Sequence, residues 1–299
     1  SFKSQRTKAC RLRTTLKMAS LNYDWRDPSL PIGALDSGLG GLSVLREIRK
    51  ALPLEDLLFA CDCGKAPWGD RPGSWIEDRV MKIAGFLTAH RVKAIVVACN
   101  TATSAAIDRL RAEFPFPVIG IEPAVKPAVR MTKDGVVGVL ATTRTITSNR
   151  LESLIERFAG NDRVIPVACP GLMEQVEAGE FHTPKTRRII EKYVGPLIDQ
   201  GADTLVLGCT HYPFLADEIQ AVAGKDVVII DPSPAVARFL AQRLTEEGSI
   251  RKTAGASAIS RFWCTGNPDA RTETLQKLWS PEVRMESLEE AWPPLRDEL

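Results

Sequence analysis

Short apolar runs alternate with longer amphipathic stretches along most of this 299-residue chain, and the alternation restricts the fold more than any other feature. Runs that are apolar throughout read as strands buried on both faces, and the amphipathic stretches between them read as crossover helices. The pattern is that of βα units in mostly parallel sheets. Strands are expected at Pro31–Leu35, Leu57–Ala60, Ile95–Ala98, Val118–Ile121, Val136–Leu140, Val164–Val167, Leu205–Leu207 and Val227–Ile230. Helices are expected at Leu42–Leu52, 74–90, onward to Arg111, Ser148–Phe158, 171–178, 184–199, from Leu215 and at Ala235–Glu247, with a polar loop near 250–258.

Proline breaks the rhythm twice. Pro115, Pro117, Pro123 and Pro127 mark a first crossing between lobes, and Asp231-Pro232-Ser233-Pro234 marks the return. The expected architecture is α/β: two similar, pseudo-symmetric open-sheet lobes with parallel-type strands, one of residues 31–122 plus 233–299, the other of 123–232. Residues 1–30 are expected to be a disordered leader, with Met18 a plausible start. Ligand sites in open parallel sheets lie at the carboxyl ends of strands, so an active site is expected in the cleft between the lobes.

With 44% hydrophobic residues the chain can bury a full core, and its longest apolar stretches fall short of a membrane span. The formal charge of +2 is uneven: Lys3, Arg6, Lys8, Arg11, Arg13 and Lys17 carry no acid between them, so the remainder is mildly acidic. The basic arm reads as a solvated segment, and neither nucleic acid nor membrane is an expected partner. Seven cysteines, at 10, 61, 63, 99, 169, 209 and 264, lack the spacing of a disulfide framework and read as reduced thiols of a cytoplasmic protein. Cys61-Asp62-Cys63 is not a C-x-x-C pair and has no second pair of ligands, so no metal is expected.

Two of the strands end alike, in Ala98-Cys99-Asn100-Thr101 and Gly208-Cys209-Thr210-His211. Each cysteine precedes an expected helix, whose amino terminus favours thiolate, and two thiols facing one cleft could move a proton across a substrate carbon. Asn100, Thr101, Thr103 and Thr210 offer donors for carboxylate oxygens, although a threonine there also serves as a helix cap. His211 is the histidine beside a candidate thiol and could exchange protons with it. Asp62, Glu174 and Glu177 are weaker candidates, since most acids on loops and helices are solvated.

Asp36-Ser37-Gly38-Leu39-Gly40-Gly41 follows the first strand and opens a helix. An acid directly after the strand would repel a pyrophosphate, and Ser43 stands where G-x-G-x-x-G needs its third glycine, so a dinucleotide loop is disfavoured. Two readings stay open: a glycine-rich turn capped by Asp36, or backbone amides that hold a substrate carboxylate while Asp36 engages an ammonium or assists a base.

These residues together resemble a known family. Asp36-Ser37-Gly38 with Gly40-Gly41-Leu42-Ser43, Ala66-Pro67-Trp68-Gly69, Ala98-Cys99-Asn100-Thr101-Ala102-Thr103, Val176-Glu177-Ala178-Gly179 and Gly208-Cys209-Thr210-His211-Tyr212-Pro213 follow in the order seen in glutamate racemases, across roughly residues 31–240. The resemblance implies an isomerase of the aspartate/glutamate racemase superfamily that needs no cofactor and supplies D-glutamate for peptidoglycan. It implies Cys99 as the base toward D-glutamate, Cys209 as the base toward L-glutamate, Asp36 and His211 as assisting groups, and Glu177 as the acid near His211. Ser37, Asp62, Trp68, Gly69, Asn100, Thr101, Thr142, Thr145 and Thr210 would contact substrate. Tyrosine is usual in the family where this chain has Trp68. A homodimer and an activating peptidoglycan precursor are admitted by the resemblance. A racemase of aspartate or a hydantoin, or a non-catalytic two-lobed anion-binding protein, are the competing readings.

Overall fold

The computed structural model describes residues 23–253 and 258–291. Its strands are β1 (Ile32–Asp36), β2 (Leu57–Cys61), β3 (Ala94–Val97), β4 (Val118–Gly120), β5 (Val136–Ala141), β6 (Arg163–Ala168), β7 (Thr204–Leu207), β8 (Val228–Ile230), β9 (Ser260–Cys264) and β10 (Met285–Ser287). They form two sheets, ordered β10-β9-β2-β1-β3-β4 and β6-β5-β7-β8, and every pairing is parallel. The expected α/β class with two parallel sheets is the observed one.

The second sheet repeats the order of the first. Reading β2-β1-β3-β4 against β6-β5-β7-β8 matches β1 to β5 and β3 to β7. In each sheet the chain turns back across its first strand, and this reversal opens a crevice at the carboxyl ends. Strands β1, β2, β3 and β7 are buried along their whole length, as apolar strands covered by helices on both faces must be.

The helices between the strands include α1 (Leu42–Ala51), α2 (Asn100–Glu113), α3 (Leu172–Glu177) and α4 (Asp269–Leu278). The first buries Leu42, Val44, Leu45 and Ile48 at helical spacing and carries Arg49 and Lys50 in its last turn, where cations suit the dipole.

Three expectations change. Residues 23–30 do not behave as a leader: Trp25 is buried, the Tyr23 hydroxyl donates to the Val92 carbonyl at 3.0 Å, and Arg26 pairs with Glu247 at 3.2 Å. The basic arm itself lies outside the described residues. The proline-rich crossing contains a helix, Val125–Met131, which accommodates Pro127 in its first turn, where no amide partner is lost. Beyond residue 258, a stretch expected in the first lobe without assigned elements, the chain adds β9 and β10 to the first sheet with α4 between them. Among the described residues no helix is long and apolar enough to cross a membrane.

Candidate active site

Asp36 ends β1 with its carboxylate fully buried. Oδ1 accepts from the Ser37 amide at 2.6 Å, while Oδ2 accepts from the Thr210 hydroxyl at 3.1 Å and from the Gly41 amide. Burial still raises its pKa, because these donors replace only part of the lost hydration.

Of the two open readings of the glycine-rich turn, the structure follows the first, a turn held by Asp36. Its amides do not face an empty anion site. Leu39 donates to Glu177 Oε1 at 2.6 Å and Gly41 donates to Asp36, so the chain's own carboxylates occupy the start of α1. A Cβ on Gly38 would collide with Glu177, and one on Gly40 with the His211 ring, so both glycines are there for close approach.

Cys99 lies two residues beyond β3 and is the N-cap of α2, its sulfur accepting from the Ala102 amide at 3.4 Å and sitting 3.7 Å from the Ser37 hydroxyl. The expected acidification does not occur there. Burial, with the Asp36 carboxylate beside it, pushes the thiol well above its usual range, and one capping amide does not offset them.

Cys209 lies two residues beyond β7, the matching place in the second sheet, but two residues, Thr210 and His211, separate it from the short 3₁₀ turn Tyr212–Leu215. It caps no helix. Its partner is His211, whose Nδ1 stands 3.6 Å from the sulfur. Nε2 of the same ring lies 2.8 Å from Glu177 Oε1 and 3.2 Å from the Gly40 amide. A protonated nitrogen cannot also accept, so the shorter carboxylate contact is the hydrogen bond and the Gly40 amide merely abuts the ring. Burial alone would lower His211; contact with Cys209 and Glu177 outweighs it and holds the imidazole well above its ordinary value. Burial would likewise raise Glu177, yet His211, the Leu39 amide and Arg271 together lower it.

The two sulfurs thus have unlike neighbours, a carboxylate beside Cys99 and an imidazole beside Cys209. Both line one small, narrow cavity. Ser37, Trp68, Gly69, Asn100, Thr101, Thr142, Thr210 and His211 line it as well. Neither amide atom of Asn100 nor the indole N–H of Trp68 has a hydrogen-bond partner among the described residues, although all three atoms are buried. Such groups are costly unless a ligand satisfies them.

Other expected residues stand elsewhere. Thr145 is one step back, 3.0 Å from the Thr142 hydroxyl, which itself meets Thr101 at 2.9 Å. Asp36 and Glu177 support the wall rather than form it. Asp62 is outside the wall: Arg79 grips both its oxygens, at 2.8 and 2.6 Å, and Thr265 donates to it at 2.7 Å, which leaves the carboxylate engaged within the protein. Met173, on α3, and Gly208 line the cavity and were not nominated. Gly208 was visible as the small residue before Cys209; Met173 gave no signal beyond helical periodicity.

Comparison with known proteins gives the family and the fold. The sequence model of the Asp/Glu/Hydantoin racemase family matches residues 53–240. The chain is 50% identical over 249 residues to a glutamate racemase of Methylococcus capsulatus, covering 83% of this chain and 92% of that one. Its fold is similar to that of a glutamate racemase isoform from Bacillus anthracis, with TM-score 0.80 and 33% identity over 87% of this chain and 97% of that one. It is also similar to the Escherichia coli glutamate racemase solved with L-glutamate and the activator UDP-MurNAc-ala, with TM-score 0.77, 32% identity and coverage of 86% and 98%.

Proposed function

The chain belongs to the glutamate racemases of the Asp/Glu/Hydantoin racemase family, and from this premise we propose how it interconverts L- and D-glutamate. Cys209 as thiolate removes the α-proton of L-glutamate, becoming a thiol, while the electron pair stays on the substrate as a carbanion delocalised into its carboxylate. Cys99 then gives its proton to the opposite face and becomes thiolate. The reverse order converts D- to L-glutamate. The observation that carries this reading is one cavity lined by both sulfurs, each two residues beyond a matching strand of the two sheets.

The unlike neighbours suit this division of roles. Burial and Asp36 keep Cys99 protonated and ready to donate, and His211 Nδ1, 3.6 Å from the Cys209 sulfur, is placed to exchange a proton with it. After one turnover the two protonation states have exchanged, and Asp36 and His211 are the groups placed to help restore them. Asn100, Thr101, Thr210 and Ser37 supply donors for the substrate carboxylates, where fixed dipoles in a narrow cavity stabilise the developing charge. Trp68 keeps the aromatic wall, and its unpaired N–H is a donor that can take over from a phenol.

In this reading residues 31–122 with 233–299 form one lobe and 123–232 the other, and opening between them admits substrate. The product serves peptidoglycan in the cytoplasm, and a precursor of the kind bound by the Escherichia coli relative is a candidate activator. The test is turnover of L-glutamate in D₂O. Deuterium is expected at Cα of the D-product, with racemisation abolished by Cys99→Ala and by Cys209→Ala while far-ultraviolet circular dichroism is unchanged. Full turnover by either variant, or turnover without exchange, sinks the two-thiol route.

A further inference from the structure

Glu177 is held from both sheets, and one of its holders has no role in the scheme above. Oε1 takes the Leu39 amide and His211 Nε2. Oε2 faces Arg271, on α4, at 3.4 Å, and more weakly the Cys63 thiol at 3.9 Å. The same guanidinium nitrogen is 3.5 Å from the Glu177 carbonyl, and the Thr274 hydroxyl donates to that carbonyl at 3.3 Å. One face of α4, an element that follows β9 of the first sheet, therefore clasps the end of α3, which follows β6 of the second.

We propose that Arg271 is a positioning residue for the Cys209 half of the reaction: by fixing Oε2 of Glu177 it orients the carboxylate whose other oxygen carries His211. A carboxylate bound at one oxygen can rotate about its terminal torsion, which is broad for glutamate. Bound at both ends, it presents Oε1 to the imidazole in one geometry, and the imidazole in turn keeps Nδ1 toward the sulfur. The side chain of Arg271 is 31% exposed and that of Glu177 8%. Without the arginine, Glu177 still keeps the Leu39 amide and His211 as partners on Oε1, so removing it disturbs orientation more than folding. A clasp of this kind also makes the Cys209 relay depend on the two sheets being in register, since Arg271 and His211 belong to different ones.

The inference rests on the two-thiol reading and is tested with the full chain and α-deuterated L- and D-glutamate. In Arg271→Gln, kcat/KM is expected to fall roughly tenfold, short of the ~100-fold that a displacement of about 1 Å can cost. Proton transfer at Cys209 then becomes the slow step both ways. The isotope effect measured with deuterated L-glutamate rises, because its C–H bond is broken in that step. The effect with deuterated D-glutamate shrinks, because its C–H bond is broken earlier, at Cys99. Arg271→Lys restores most of the rate. An unchanged kcat/KM, or a loss in which both isotope effects move together and lysine does not rescue, overturns the role of Arg271 alone. Wild-type turnover without exchange at Cα, read in the same experiment, overturns the two-thiol route and this inference with it.

Discussion

His211 and Glu177 form a buried ion pair whose members shift in opposite directions, and the pair sets a window of pH. His211 is raised above its ordinary value of 6.5, so its contribution to stability is complete below that value and is lost as pH rises through the raised one. Glu177 is lowered below its ordinary value of 4.5, so its contribution is complete above that value and is lost as pH falls through the lowered one. The advantage of the wild type over His211→Asn in urea unfolding is therefore expected to be largest between those two ordinary values and to shrink on either side. A pH-independent difference would mean that the pair is not ionised. Part of this site could be read from residue types alone: paired cysteines after paired strands, with a histidine beside one, point to proton transfer. Asp62 could not be placed that way. Nothing local in Cys61-Asp62-Cys63 announces that Arg79, seventeen residues on, takes up its carboxylate.

The turn between β1 and α1 shows what local sequence omits. A run of glycines after a strand reads either as a turn capped by Asp36 or as a cradle for an anion; the amides are aimed at carboxylates, and those carboxylates are Asp36 and Glu177. The glycines serve approach, not flexibility. Gly40→Ala would thrust a methyl group into the His211 ring and is expected to cost about 1–3 kcal/mol of stability. Activity should fall more steeply, about 100-fold, because the displaced ring is the partner of Cys209. Thermal unfolding and initial rates on the same preparation separate the two effects, and equal retention of both would contradict the contact. The strands before residue 232 were readable because apolar runs in parallel sheets are short and sharply bounded. The missed strands, β9 and β10, lie beyond the stretch over which strand and helix alternate regularly. Only the Phe262-Trp263-Cys264 run marks β9.

Across the molecule, several of the contacts that join the two sheets lie around the cavity. Thr101 meets Thr142, Asp36 meets Thr210, Ser43 meets the Thr210 carbonyl, and Glu177 meets Leu39 and Arg271. A ligand seated among them is bound from the residues of both sheets at once and stabilises the fold. D-glutamate at 100 times its dissociation constant is expected to add about 2.7 kcal/mol and raise the melting temperature. Cys99→Ala should keep that rise while losing racemisation, since the donors at Asn100, Thr101 and Thr210 are untouched. A variant that loses both would show that the sulfur contributes to binding as well as to chemistry.

The dissimilar company kept by the two sulfurs has a thermodynamic corollary. Mirror-image molecules have identical free energies in water, so the equilibrium constant between them is unity and the ratio kcat/KM must agree for the two hands. A carboxylate on one flank and an imidazole on the other cannot, then, make this catalyst a one-way valve. Whichever hand is held more tightly is turned over more slowly in the same proportion, and net flow toward either one is decided by the reactions that drain it.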